Sequence, residues 1–377
     1  MNTSRLKSII IAAAVSWALC ASLGCGGSHI WPAGARTFAP PSGAPANTAT
    51  ATGYTLSTFV KAPTSTMVPD SIVQFGNTVY IAYQNAGEVK DGSVPGITDK
   101  VTQYDFNANA LNTYTVPGHV DGLLARSDTN ELWAMANEDG NPELTIINLG
   151  TGTQKTYQAT VNPTVHGGGY DDMQLINGVV YVSASNPSTA GVAPTVVSLT
   201  LNPNGTTFDV ASVVAGNAQA LDITPTIGGS PNPTFNTPVT LSLTDPDSLA
   251  IDSSGDLVLD SQADGKLVFI KNPGPSQTLS VLILTLFNDK DGPTTPVDDT
   301  RWVPPSGPNG VTFMLFTDAK NTTYRLDAAF TKGDAYSNGQ GQVMKLDTKT
   351  GHLTPVAVSI GNASALQDPH GMVFIAQ

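Results

Sequence analysis

Residues 244–273 read TDPDSLAIDSSGDLVLDSQADGKLVFIKNP, and this stretch decides the fold class of the chain. Three short apolar segments, Ser248 to Asp252, Asp256 to Asp260 and Lys266 to Lys271, have the length and composition of β-strands. The Ser-Ser-Gly-Asp and Ala-Asp-Gly sequences between them are typical of chain-reversing turns. The stretch therefore predicts most of one antiparallel β-meander.

The opening of this meander recurs along the chain. In each copy an Asp, or once a His, stands at or just before the start of an apolar segment. The residues at this position are Asp70, Asp121, Asp172, Asp247, Asp298 and His370. Successive copies lie 51, 51, 75, 51 and 72 residues apart. A repeat of about 50 residues lies in or just beyond the range of β-propeller blades.

The expected fold is an all-β propeller of six blades, each with four antiparallel strands. Only seven residues follow His370, so the last blade must be completed from the N-terminal side, and Tyr54 to Ala62 is predicted to supply its outer strand. Such closure protects the edges of the sheets. The fifth unit is predicted to contain strands at Thr312 to Phe316 and Thr323 to Leu326. The third unit has surplus strand-like segments at Ala220 to Thr224 and Val239 to Leu243.

Three regions are expected along the chain. Residues 1–25 combine a basic start, an apolar run and small residues, which is typical of a secretory signal peptide. Cys25 resembles the acceptor cysteine of a bacterial lipoprotein, although the leucine stands two positions before it rather than three, so lipid anchoring and plain secretion both remain open. Residues 26–53 are rich in Gly, Pro, Ala and Thr and are expected to form a flexible tether. Residues 54–377 form the predicted propeller domain.

The composition limits the partners. The chain has 17 basic and 30 acidic residues, for a formal net charge of −13. Nucleic-acid binding needs a basic surface, so it is excluded. Both cysteines lie in the leader, so the folded part has no disulfide. We expect an exported monomer of the periplasm, the cell envelope or the extracellular space, which contacts a membrane only through a lipid anchor.

The recurrent openings are the candidate site. The first strand of a propeller blade lines the central channel, so residues just before it are expected at one channel mouth. The five Asp residues there are predicted ligands of a divalent cation such as Ca²⁺, because carboxylates that converge repel one another unless they are protonated or bind a cation. The predicted metal ligands are Asp70, Asp121, Asp172, Asp247 and Asp298. The alternative is that each Asp caps a turn through backbone N–H groups and that no cofactor is bound.

Three of the five histidines are candidates for an acid or a base. His119 lies two positions before Asp121, His166 lies six before Asp172, and His370 occupies the sixth opening itself. We expect these histidines on the same face of the ring as the carboxylates, where an imidazole can transfer protons to or from a substrate.

The openings Pro-Asp-Ser-Leu-Ala-Ile-Asp at 246–252 and Pro-His-Gly-Met-Val-Phe at 369–374 resemble blades of NHL-type and SMP-30/gluconolactonase-like six-bladed propellers. By that resemblance, Asp121, Asp247 and His370 match positions that hold a divalent metal or act as the catalytic acid in the lactonase-like members. The chain differs from the lactonase pattern in having no Asn-Gly-Leu opening and no Glu at the first blade.

Two functions of different classes follow. The first is an exported propeller, lipid-anchored or free, that binds a small molecule or a protein partner on its channel and loop face. The second is a divalent-metal-dependent hydrolase, lactonase-like, or a lyase, with Asp and His side chains at the channel mouth.

Overall fold

The structure is a computed structural model, and it describes residues 45–160, 168–273, 280–289, 292, 294–305, 310–360 and 365–376. The leader, Cys25, most of the expected tether and His166 lie outside these residues. The described part of the chain is all-β, with no helix, and therefore contains no helix that could span a membrane. The strands of the first half are β1 (Thr48–Thr50), β2 (Thr55–Lys61), β3 (Met67–Phe75), β4 (Thr78–Asn85), β5 (Thr98–Asp105), β6 (Ala110–Pro117), β7 (Val120–Arg126), β8 (Glu131–Ala136), β9 (Glu143–Asn148), β10 (Gln154–Ala159), β11 (Met173–Ile176), β12 (Val179–Ser183), β13 (Val196–Leu201) and β14 (Thr207–Val214).

The second half begins with four short strands, and most of the strands that follow are longer. Its strands are β15 (Gln219–Asp222), β16 (Thr226–Ile227), β17 (Ser230–Pro231), β18 (Pro238–Thr240), β19 (Pro246–Ile251), β20 (Leu257–Ser261), β21 (Lys266–Lys271), β22 (Ser280–Thr285), β23 (Asp299–Trp302), β24 (Val311–Asp318), β25 (Thr322–Asp327), β26 (Ala335–Gly339), β27 (Gln342–Asp347), β28 (His352–Ser359) and β29 (Pro369–Ala376).

Six antiparallel units of four strands form a ring. From the inner to the outer strand they are β3-β4-β5-β6, β7-β8-β9-β10, β11-β12-β13-β14, β19-β20-β21-β22, β23-β26-β27-β28 and β29-β24-β25-β2, which we call the first to sixth units. Neighbouring inner strands contact one another in this order, and β29 contacts β3. The predicted all-β propeller is therefore confirmed, as is its closure by an N-terminal strand, because β2 pairs with β25.

Each unit buries both faces, one against each neighbour. On β20, Leu257 and Leu259 pack into a cluster with the third unit, whereas Val258 between them packs into a cluster with the fifth. This alternation follows from the two-residue period of a strand, and it explains the continuous apolar run at 257–259. Six such clusters, one for each pair of neighbouring units, make up the core.

In the chain, a hairpin of the sixth unit interrupts the strands of the fifth unit, and this corrects one prediction. The segments Thr312 to Phe316 and Thr323 to Leu326 were expected in the fifth unit, but β24 pairs with β29 and β25 pairs with β2, both in the sixth. The chain leaves the fifth unit after β23, forms the β24–β25 hairpin, and returns as β26. Strand patterns in a sequence identify strands but not their partners, and this is why the prediction was wrong.

Several outer edges are covered by additional strands. β10 and β14 pair in parallel, so the second and third units form one eight-stranded sheet. The surplus segments after the third unit become β15 and β18, which extend the outer edge of the fourth unit. β1 lies in the stretch expected to be a tether and pairs with β28. Together with β2, it joins the N-terminal part of the domain to two adjacent units.

Candidate binding site at the channel mouth

A polar cavity of about 390 Å³ lies where the inner strands begin. Carboxyl groups dominate its lining, which they share with the cationic side chains of Lys90, Arg301 and His370. The eleven lining carboxyl groups belong to Asp70, Asp121, Glu138, Asp139, Asp171, Asp172, Asp245, Asp247, Asp298, Asp299 and Asp368. The inner strands approach very closely here: a Cβ on Gly122 would lie 2.3 Å from the carbonyl oxygen of Asp171, so only glycine fits on β7 at this point.

His119 forms a hydrogen bond to one of these carboxyl groups from outside the cavity. The His119 side chain is buried and does not line the cavity, and its Nδ1 lies 2.8 Å from Asp121 Oδ1 in a hydrogen bond. Gln84 Nε2 and the backbone N–H of Glu138 also donate to Asp121, at 3.1 Å each. Burial, together with the charges of Glu138 and Asp70, raises the pKa of Asp121 well above its usual value. His119 therefore orients Asp121 and does not reach a ligand itself.

Asp171 and Asp247 form a carboxyl pair between the third and fourth units. Both line the cavity, and their side chains are hydrogen-bonded to each other. Burial and the neighbouring carboxylates raise the pKa of each. A hydrogen bond between two carboxyl groups requires a proton on one of them, so this contact and the raised pKa values favour a state in which the pair shares one proton.

Arg301 lines the cavity and contacts four units of the ring. It extends from β23, and its guanidinium lies 3.2 Å from Asp172 Oδ2 and 2.8 Å from Asp299 Oδ1. It also donates to the carbonyl oxygens of Leu249 and Met372. Arg301 therefore connects the fifth unit with the third, fourth and sixth. Burial raises the pKa of Asp299 to about 7 despite the charge of Arg301.

His370 bridges two more carboxylates. Its Nδ1 lies 2.8 Å from Asp298 Oδ2 and 3.6 Å from Asp70 Oδ1. Burial alone would lower the pKa of His370, but the Asp298 carboxylate raises it to about 10, so the imidazole is charged at neutral pH. Burial raises the pKa of Asp70 to about 6, although His370 opposes the shift. In this state His370 can donate a proton or a hydrogen bond, but it cannot accept a proton.

The described carboxylates are not arranged as ligands of a metal ion. No group of three or more His, Cys, Asp or Glu side chains that could hold one occurs in the described ranges. Four of the cavity carboxylates are already engaged, Asp172 and Asp299 by Arg301, and Asp70 and Asp298 by His370. Ca²⁺ takes about six to eight oxygen ligands, so a bound ion would have to draw carboxylates away from these partners. A divalent metal at the five predicted Asp residues stays a prediction.

The structure brings most of the predicted site residues together. All five predicted Asp residues and His370 line the cavity, whereas His119 lies behind it and His166 is outside the described residues. The repeat did not indicate Asp171 and Asp299 as cavity residues, although each is a second Asp directly beside a predicted one. Arg301, Lys90 and Glu138 were not predicted either. These three come from a strand position after the opening and from two loops, so the repeat contains no signal for them.

No protein-family model matches the chain, and no curated protein matches it in sequence. Solved structures align with it at low identity. Virginiamycin B lyase of Staphylococcus aureus is 12% identical over 86% of this chain and 94% of that chain, with a TM-score of 0.47. The periplasmic gluconolactonase of Pseudomonas aeruginosa is 12% identical over 82% and 88%, with a TM-score of 0.45. The calcium-binding protein regucalcin of Agrobacterium tumefaciens is 11% identical over 79% and 77%, with a TM-score of 0.41.

These similarities are too weak to carry a substrate or an activity over to this chain. A gluconolactonase, the kind of propeller that the openings at 246–252 and 369–374 resemble, is among the structures that align. The pairing of the strands and the lining of the cavity define the class: a β-propeller with an acidic cavity at one mouth of its channel.

Proposed function

We propose that this protein is a binding propeller that takes a cationic ligand into the acidic channel mouth. The observation that carries the proposal is the charge of the cavity, where, among the residues that the structure describes, eleven carboxyl groups face the cationic side chains of Lys90, Arg301 and His370. Burial raises the pKa of several of these carboxyl groups because it disfavours the charged form, and repulsion by ionised neighbours adds to the shift. A bound cation would reduce that repulsion, and binding is favourable to that extent.

Titration calorimetry on the chain without its leader tests this proposal. The probes are Ca²⁺ and spermidine as cations, with glucose as an uncharged control, at low ionic strength. We expect a cation to bind with one site per chain and to bind more weakly at high salt, because salt screens partly exposed charges. The variant Asp245→Asn removes one cavity carboxylate and should weaken binding, whereas Asp128→Asn, which is exposed and outside the cavity, should not. Equal binding by both variants would contradict a site in the cavity.

A second candidate function is hydrolysis or lyase chemistry, and the Asp171–Asp247 pair favours it. One protonated and one ionised carboxyl group side by side provide a general acid and a general base. A panel of lactones and esters, assayed with and without added divalent ions, tests this activity. Loss of turnover in Asp247→Asn but not in Asp139→Asn, also a cavity residue, would support it. If the wild-type protein turns over no compound of the panel, the binding function remains as the only proposal.

Export belongs to the same proposal. We infer a function outside the cytoplasm from the leader at residues 1–25, with Cys25 as the lipid acceptor in the anchored form. Fractionation of cells that express the full chain tests the anchor. Wild type in the membrane fraction and Cys25→Ser in the soluble exported fraction would support lipidation, and soluble exported protein in both cases would support plain secretion.

A further inference from the structure

The connection between β4 and β5, residues 86–97, extends to the cavity. Lys90 from this loop lines the cavity and forms an ion pair with Glu138, which lies in the turn between β8 and β9 of the second unit. The Lys90 side chain is 47% exposed and that of Glu138 is 14% exposed. Among the described residues that line the cavity, Lys90 is the only lysine.

The backbone on both sides of this ion pair is held in place. The N–H of Asp139 donates to the carbonyl oxygen of Lys90 at 3.0 Å. Asn141 Nδ2 donates to the carbonyl oxygen of Asp91 at 2.8 Å, and the N–H of Glu138 donates to Asp121 Oδ2 at 3.1 Å. The loop is therefore docked on the second unit through its main chain. The half-exposed ammonium group can leave Glu138 without any of these bonds breaking.

The ammonium group lies in a field of negative charge. Glu138, Asp121 and Asp70 attract it, and Asp139 and the neighbouring Asp91 add to the local charge. Burial alone would lower the pKa of Lys90, but the Glu138 and Asp121 carboxylates raise it, so the group is charged at neutral pH. The protein thus places an ammonium group of its own in a mouth dominated by carboxyl groups.

We propose that Lys90 is an internal counter-ion of the mouth, and that a cationic ligand must displace it from Glu138. This inference rests on the proposed binding function and adds an internal competitor to it. A singly charged ligand replaces one positive charge with another and gains little Coulomb energy. A ligand with two or more charges gains the difference, so a polyvalent cation can bind appreciably even though it must displace Lys90. The class of ligand is therefore a polyvalent cation, of which spermidine is the organic probe.

Titration calorimetry of the variant Lys90→Met, with spermidine and with methylammonium, tests this inference. Methionine keeps most of the apolar length of the side chain and removes the charge. We expect both affinities to rise, and the affinity for spermidine to rise more, by about 3- to 10-fold, because the attraction of the uncovered negative charge grows with the charge of the ligand. Lys100→Met is the matched control: it changes the net charge equally, but Lys100 bonds to Thr115 outside the cavity. Equal changes in both variants, or weaker binding to Lys90→Met than to wild type, would overturn the counter-ion role.

A second measurement separates this inference from the binding function. If no variant binds any cation, the binding function fails, and the counter-ion role is judged by melting temperatures alone. Removal of an internal counter-ion should lower the melting temperature of Lys90→Met more at about pH 8, where the carboxylates are ionised, than at about pH 5. The Lys100→Met control should show no such difference. Identical melting profiles for the two variants would overturn the counter-ion role as well.

Discussion

Arg301 shows how one side chain can hold a ring together. Its guanidinium reaches the third, fourth and sixth units from the fifth, and both of its carboxylate partners, Asp172 and Asp299, are buried. A buried ion pair contributes little by itself, since desolvation offsets the attraction. Removal of one partner is strongly destabilising, because it leaves the other charges uncompensated. The residue thus makes the inner strands of four units depend on one another.

Replacement of Arg301 by methionine should therefore destabilise the protein severely. We expect a loss of about 3–5 kcal/mol in the free energy of unfolding, measured by urea denaturation at neutral pH. The control is Lys345→Met, which removes an exposed pair with Asp334 and should change the free energy by less than about 1 kcal/mol. Similar losses for the two variants would show that Arg301 does not connect the units.

For Asp247, which pairs with Asp171, we expect the opposite effect: its substitution should stabilise the protein. Asparagine at position 247 carries no charge, and its amide can still donate to Asp171. Chelator-treated Asp247→Asn should therefore melt about 2–4 °C above wild type at about pH 8 and close to wild type at about pH 5. Differential scanning calorimetry measures both. A lower melting temperature for the variant at pH 8 would mean that the pair does not hold a proton more tightly in the native protein than in the unfolded chain.

The repeat predicts which residues meet at the mouth, but not what they do there. The Asp or His at the recurrent opening lines the cavity in all six units, as the predicted geometry required. The engagement of Asp172 by Arg301, and of Asp298 by His370, depends on side chains that cross between units. Such contacts have no fixed spacing in the sequence, so no local pattern indicates them.

The closing strand β2 shows how far an element can be predicted. The short remainder after His370 predicted that residues 54–62 supply the outer strand of the last unit. Phe59 on β2 is 3% exposed, and its ring packs edge-on against Tyr104 of the first unit at 6.3 Å. The β24–β25 hairpin was equally clear as two strands, yet it was assigned to the wrong unit. Its partner β29 lies more than 40 residues further along the chain.

Truncation of Phe59 should test the contribution of β2. We expect Phe59→Ala to lose about 3–5 kcal/mol, because the substitution leaves a cavity between the sixth and first units. Leu111→Ala on the outer strand β6 is the control, since Leu111 is 55% exposed and should change stability by less than about 0.5 kcal/mol. Urea denaturation monitored by tryptophan fluorescence gives both values. A small effect of Phe59→Ala would mean that β2 does not hold the ring closed.

The whole molecule should be more stable in mild acid than in mild alkali. Burial raises the pKa of Asp70 and Asp318 to about 6, and that of Asp99 and Asp299 to about 7. The folded state then holds protons more tightly than the unfolded chain. The stabilisation is fully present below about pH 4, where both states are protonated, and it is lost as the pH rises to about 7.

Thermal unfolding across this range checks the sign. We expect the melting temperature to fall between about pH 5 and pH 8, and a ligand cation at pH 8 to restore part of the loss by binding only the native state. High salt should narrow the difference, because it screens the partly exposed carboxylates at the mouth. A melting temperature that rises from pH 5 to pH 8 would contradict the raised pKa values.

The sixth unit is built from three separate parts of the chain, and this determines the order in which a ribosome can complete the ring. β2 is made early, but its partner β25 follows more than 250 residues later, and the inner strand of the same unit, β29, comes last. A nascent chain therefore carries an unpaired β2 while the residues between β2 and β25 are made. The sixth unit can form only after β29 has left the ribosome, so any chaperone that protects this chain in transit has to shield β2 until then.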